Sequence, residues 1–129
     1  MTSVHHLQGD AYAVFTRGHR IVVDQPSTGD SGQTPLELFV ASIASCAAFY
    51  AGRFLARHGV TGHRVDCVYE QAQDGSVSRV ALTLHTSRPL ADALRSGAVR
   101  AMEHCTVVRS IRGGLDVTVG VADAELAPA

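Results

Sequence analysis

Two cysteines, Cys46 and Cys105, are the residues of this 129-residue chain best suited to chemistry. Cys46 stands in Ala44-Ser45-Cys46-Ala47-Ala48, and Cys105 in Glu103-His104-Cys105-Thr106-Val107-Val108. Each falls inside a stretch that reads as a helix with a mostly apolar face. A thiol does chemistry as its thiolate, and two thiols within reach of one another form a redox pair. Two that never meet are small buried hydrophobes, a common fate of free cysteine. Spacing alone leaves both readings open, so the elements that carry the two thiols must decide.

Few other groups compete. No Cys-x-x-Cys or His-x-x-x-His spacing occurs, so neither a zinc site nor another metal is expected. Gly-x-Gly-x-x-Gly and Gly-x-Ser-x-Gly are both missing, which argues against dinucleotide binding and an elbow-type hydrolase; no cofactor is expected. All eleven basic residues are arginine, which excludes a Schiff-base or P-loop lysine. Cys67 falls in mid-strand beside Val68 and reads as packing. His19, His63 and His85 stand singly, and His5 and His6 read as a loose terminus.

Composition bounds the class. A hydrophobic fraction of 46% with 18% charged residues is that of an ordinary globular chain, and the length fits one domain over residues 1–129. The net charge of -1 offers no electrostatic footprint for nucleic acid. The N-terminus has no secretory pattern, and the apolar run from Leu38 to Gly52 is short for a membrane span and contains Ser42 and Ser45. A cytoplasmic protein with neither a membrane nor a nucleic-acid partner is the expectation. In a reducing compartment its disulfides would be transient and catalytic, or absent.

The chain then divides into elements. Tyr12–Thr16 and Arg20–Val23, joined by Arg17-Gly18-His19, predict a hairpin. An irregular loop from Pro26 to Gln33 leads to Thr34-Pro35-Leu36-Glu37, a capping box with proline at the first helical position. That helix is expected to run to about His58, and between Leu38 and Gly52 it is apolar or small on every side. Such a helix reads as buried all round, which in a small chain calls for a dimer that wraps it. Strands over Arg64–Gln71 and Ser78–Thr86 flank a turn at Asp74-Gly75. A second helix from Pro89, broken near Gly97, carries Leu90, Leu94, Ala98, Ala101, Cys105 and Val108 at helical spacing. Leu115–Val121 alternates as a last strand. The order ββ-α-ββ-α-β predicts an α+β domain, an antiparallel sheet with two main helices on one face.

The string Thr34-Pro35-Leu36-Glu37-Leu38-Phe39-Val40-Ala41-Ser42-Ile43-Ala44-Ser45-Cys46 resembles the small-rich helix of the OsmC/Ohr family of thiol-dependent hydroperoxide reductases, which ends in a reactive cysteine. His104-Cys105-Thr106-Val107 is similar to the family's Cys-Pro-Val segment, with Thr106 in the place of the proline. The resemblance spans roughly Asp10 to Asp123. It implies an OsmC-like fold in an intertwined homodimer, with Cys46 as the peroxidatic thiol and Cys105 as the resolving one. It further implies reduction of organic hydroperoxides, regeneration by an external dithiol, and an N-terminal arginine near the thiol, for which Arg17 and Arg20 are the candidates.

Glu37 precedes Cys46 by nine positions, about half a turn out of phase. Its capping role explains it; a role at the thiol, orienting the arginine, needs a bent first turn or delivery to the other subunit. Phe39, Phe49, Tyr50 and Phe54 are candidate walls of an apolar substrate pocket. Arg53 and Arg109 follow the two cysteines at helical spacing, where a helix C-terminal cation and a solvated face are the ordinary explanations. The alternatives to an enzyme are an OsmC-like dimer that binds an apolar ligand, its cysteines serving as packing, and a redox-stress thiol protein without turnover.

Overall fold

The computed structural model describes residues 1–122. Eight elements follow in order: β1 (Thr2–Gln8), β2 (Ala11–Thr16), β3 (His19–Val23), α1 (Pro35–Arg57), β4 (His63–Gln71), β5 (Val77–Thr86), α2 (Asp92–Glu103) and α3 (Thr106–Gly113). The strands form two antiparallel sheets, β1-β2-β3 and β4-β5. The α+β class expected from the sequence is therefore present, with two sheets in place of one and a third helix.

Turn chemistry sets the strand pairing. Thr16 pairs with His19, leaving Arg17 and Gly18 as a two-residue loop with φ of 50° and 80°. Two successive positive φ values match the right-handed twist of a hairpin, so the loop is tight and Arg17 is held at its tip. At the β4–β5 turn, Asp74 accepts hydrogen bonds from the Ser76 N–H at 3.0 Å and its hydroxyl at 2.6 Å. The N-terminus is not loose: β1 pairs with β2, with Thr2 opposite Thr16 and His5 opposite Ala13. His5 and His6 lie against the rings of Phe15 and Tyr12.

The loop after β3 is closed by Asp24, only 3% exposed. Its carboxylate accepts from the N–H groups of Gln25 and Ser31 and from the Ser31 hydroxyl, at 2.7, 3.0 and 2.6 Å. The Ser31 bonds, first its hydroxyl and then its N–H, hold that carboxyl below its ordinary range. The loop thus returns beside β3 and launches α1. Both halves of the capping box are made: Glu37 N–H donates to Thr34 Oγ1 at 3.0 Å, and Thr34 N–H donates to Glu37 Oε1 at 2.9 Å.

Three expectations differ from what the single chain shows. First, α1 is buried on one side only within one chain, and the wrapping expected for it belongs to a second copy. Val40, Ile43, Ala47, Ala51 and Leu55 form one buried stripe, while Ser42, Ser45, Phe49 and Arg53 on the opposite side are exposed. A single chain covers α1 with α2, α3 and β4 on one side only. By length and composition α1 is also long and apolar enough to cross a membrane.

Second, the helix does not break at Gly97. A Cβ there would lie 2.3 Å from Phe54 Cζ, so Gly97 is where the ring meets α2. The break falls instead at His104–Cys105. Cys105 takes an extended conformation (φ −65°, ψ 150°) and caps α3, its sulfur accepting from the Val108 N–H at 3.4 Å. It acts as a serine would in that position.

Third, Leu115–Val121 pairs with no described strand, and Leu115, Val117, Val119 and Val121 are 69–100% exposed. Alternation gives it one apolar face, but pairing needs a sheet edge that this chain does not bring to it.

Candidate active site

The two thiols meet. Cys105 is fully buried in a cluster with Ala47, Ala51 and Met102, and Cys46, Tyr50, Val107 and Val108 pack against that cluster. Cys46 precedes the buried Ala47 on α1 and is half-buried, so it is the more accessible sulfur of the two. All three cysteines are free thiols. Burial pushes the Cys105 thiol above its ordinary value. The adjacent Cys46 adds to this by hydrogen bonding and charge, and the Val108 and Val107 N–H groups pull it part of the way back. The proton therefore stays on Cys105 under conditions where an ordinary thiol begins to ionise. Cys67 lies on β4 opposite Leu82, apart from this cluster, and burial raises it as well.

One hydrogen bond crosses beside the pair. Tyr50, one turn after Cys46 on α1, shares a bond of 2.8 Å with Thr106 Oγ1, the residue next to Cys105. Arg109 Nη2 donates to the same Thr106 oxygen at 3.5 Å, and its Nε donates to the His104 carbonyl at 2.9 Å. The local spacing Cys46–Tyr50 was available in the sequence; the meeting of Tyr50 with Thr106 was not. On the other side of α1, Gly52 leaves a notch for the His63 ring, whose Nε2 donates to the Ala48 carbonyl at 2.9 Å.

The remaining candidates sit elsewhere in the chain. Glu37 is exposed and occupied by its cap, and among the described residues it forms no ion pair. Arg17 lies at the β2–β3 tip, and Arg20 reaches over the Phe15 ring, 5.9 Å from its centre. The single chain brings neither arginine to Glu37 or to the thiols. Of the expected pocket walls, Phe39 lines a groove of about 550 Å³ between α1, β5, α2 and α3, together with Ile43, Leu82, Leu84, Met102 and Val108. Met102 and Val108 separate this groove from Cys105 by one layer of side chains. Phe49 instead lies exposed under the Arg53 guanidinium, 4.5 Å from the ring centre, and Phe54 packs on Gly97 and His58. No group of three potential metal ligands gathers among the described residues.

An α+β chain with antiparallel sheets and a neighbouring pair of free thiols, one half-exposed and one buried, is the class these observations define. Residues 28–120 match the family described as OsmC-like protein, and the chain belongs to that family. Solved structures agree at the level of fold. A putative osmotic stress induced and detoxification response protein from Psychrobacter arcticus is 20% identical, with a TM-score of 0.74 over 84% of this chain and 85% of that one. An OsmC-like protein from Mycoplasma pneumoniae is 11% identical, with a TM-score of 0.76 over 88% and 86%. The organic hydroperoxide resistance protein OhrB of Bacillus subtilis is 20% identical, with a TM-score of 0.57 over 90% and 93%. A search among curated proteins finds no significant match.

Proposed function

We propose that this chain is a two-cysteine thiol peroxidase that reduces organic hydroperoxides and works as a homodimer in the cytoplasm. The observation that carries the reading is the contact between half-exposed Cys46 and buried Cys105. Exposure assigns the first step to Cys46. Its thiolate attacks the peroxide, the O–O bond breaks, and the alkoxide leaves as the alcohol once protonated; Cys46 becomes a sulfenic acid. The Cys105 sulfur then attacks Cys46. The S–S bond forms, the S–O bond breaks, and the hydroxyl leaves as water with the Cys105 proton. An external dithiol reduces the disulfide by exchange.

In this reading, the guanidinium of Arg17 or Arg20 and the Glu37 carboxylate come to the thiol from a second copy. The exposed face of α1, with Ser42, Ser45 and Phe49, and the unpaired Leu115–Val121 are the surfaces we assign to that copy. The OsmC/Ohr resemblance and a structural relative named as an organic hydroperoxide resistance protein support the substrate class.

The test is a titration of reduced protein with one equivalent of cumene hydroperoxide, counting free thiols. Loss of two thiols per chain, abolished in Cys46→Ser, is expected. Unchanged thiols after prolonged incubation overturn the proposal. A second reading, a binding protein for an apolar ligand, is favoured by one feature: the groove of about 550 Å³ falls within the size range of small-molecule pockets and is lined by neither cysteine. Unreactive thiols combined with saturable uptake of a fluorescent fatty acid would establish it.

A further inference from the structure

We infer that Tyr50 and Thr106 are positioning residues that latch the two cysteine-bearing segments together and keep Cys105 presented to Cys46. The inference rests on the pairing of these two thiols and extends it to how the pair is held.

The geometry of α3 is the reason a latch matters. This eight-residue helix buries none of its own residues, and a helix so short has little stability in isolation. Val107 and Val108 are only partly buried, yet the residue capping α3 is the fully buried Cys105. The start of α3 therefore needs a tether to α1, and the Tyr50–Thr106 bond of 2.8 Å is one. Its two ends are placed for the task. Tyr50 stacks one turn beyond Cys46 on the same side of α1, and Thr106 is bonded directly to Cys105 in the chain. The Arg109 side chain, held on the His104 carbonyl, donates to the same Thr106 oxygen and fixes the hydroxyl from the α3 side.

A disulfide needs the two Cα atoms within a narrow range, so a small drift of α3 along α1 lowers the fraction of chains able to close it. Losing one hydrogen bond of ordinary strength shifts such an equilibrium by up to about fivefold.

The experiment equilibrates the full-length protein with mixtures of reduced and oxidised dithiothreitol. The Cys46–Cys105 disulfide is quantified by alkylation and peptide mapping. Tyr50→Phe and Thr106→Val remove the bond with little change of shape, and Thr106→Ser keeps the hydroxyl. Each of the first two is expected to lower the equilibrium constant for disulfide formation by up to about fivefold. Thr106→Ser should stay within about twofold of wild type, and the double variant should lose no more than either single one. Constants for Tyr50→Phe and Thr106→Val that are unchanged or increased overturn the inference, as do independent, multiplying losses in the double variant. Because no peroxide is involved, the result is separate from the peroxidase reading. Wild-type thiols inert to cumene hydroperoxide but latch-dependent in this equilibrium would remove that reading and support the latch.

Discussion

Gly32 is the position at which a single methyl group should do most harm. A Cβ built there lies 2.1 Å from the Val22 carbonyl oxygen and 2.8 Å from its carbon, both main-chain atoms of β3. Ordinary contact begins near 3.4 Å, so the loop must retreat from the strand by more than an ångström. That retreat pulls on the Asp24 N–H bond to the Gln33 carbonyl at 3.1 Å and on the two Ser31 bonds to the Asp24 carboxylate. Three such bonds, at about 1 kcal/mol each, come to about 3 kcal/mol. Alanine recovers about 0.4–1 kcal/mol by restricting the unfolded chain. The net prediction for Gly32→Ala is a loss of about 2 kcal/mol, read by urea unfolding as a lower midpoint with an unchanged slope. Gly113→Ala is the control. A Cβ there meets nothing within 4 Å and the backbone needs no positive φ, so its stability should stay level or rise slightly. A Gly32→Ala protein as stable as wild type would refute the argument that this loop is seated on β3 and launches α1 from there.

Three further outcomes follow from the core. Leu55 is fully buried on α1, so Leu55→Ala should cost about 3 kcal/mol in the same urea assay. Gly97→Ala sets overpacking against Phe54, about 1–3 kcal/mol, against a helix-propensity gain of about 1 kcal/mol; it should destabilise, and Phe54→Leu should relieve it. Clear stabilisation by Gly97→Ala alone would mean the ring is not seated there. The Cys105 thiol is raised in the folded chain by burial, so its contribution to stability is complete below the ordinary thiol pKa. It is lost as pH rises through the raised folded value. Stability should therefore fall on the alkaline side of the thiol range, and Cys105→Ala should flatten that part of the profile in thermal melts taken at successive pH values.

Local chemistry made much of this fold legible. The Thr34–Glu37 box, the β2–β3 hairpin and the Asp74-Gly75 turn are written in a few adjacent residues and form as the sequence predicts, although His19, expected in the hairpin loop, pairs with Thr16 as the first residue of β3. What depends on distant partners was hidden. β1 shows no apolar alternation through His5-His6 and exists because β2 offers an edge. Leu115–Val121 has the alternation but no described edge to join. The stripe from Leu94 to Val108 keeps helical spacing across the break at Cys105, so periodicity alone ran straight through a cap. The meeting of Cys46 with Cys105, and the Tyr50–Thr106 bond across 56 positions of chain, are products of packing α1 on α3. Gly97 reads locally as a breaker, whereas in three dimensions it is a seat for an aromatic ring.

Cys46 is half-buried and the neighbouring Cys105 fully buried; the proposed function has the first meet the peroxide and the second resolve it. The direct measurement uses Cys105→Ser protein treated with one equivalent of cumene hydroperoxide in the presence of dimedone, followed by peptide mass mapping. A single sulfenic-acid adduct, on Cys46, is expected, with a Cys46–Cys105 disulfide in the wild-type protein treated alike. An adduct on Cys67, or no adduct while the thiols stay reduced, would contradict the proposed function.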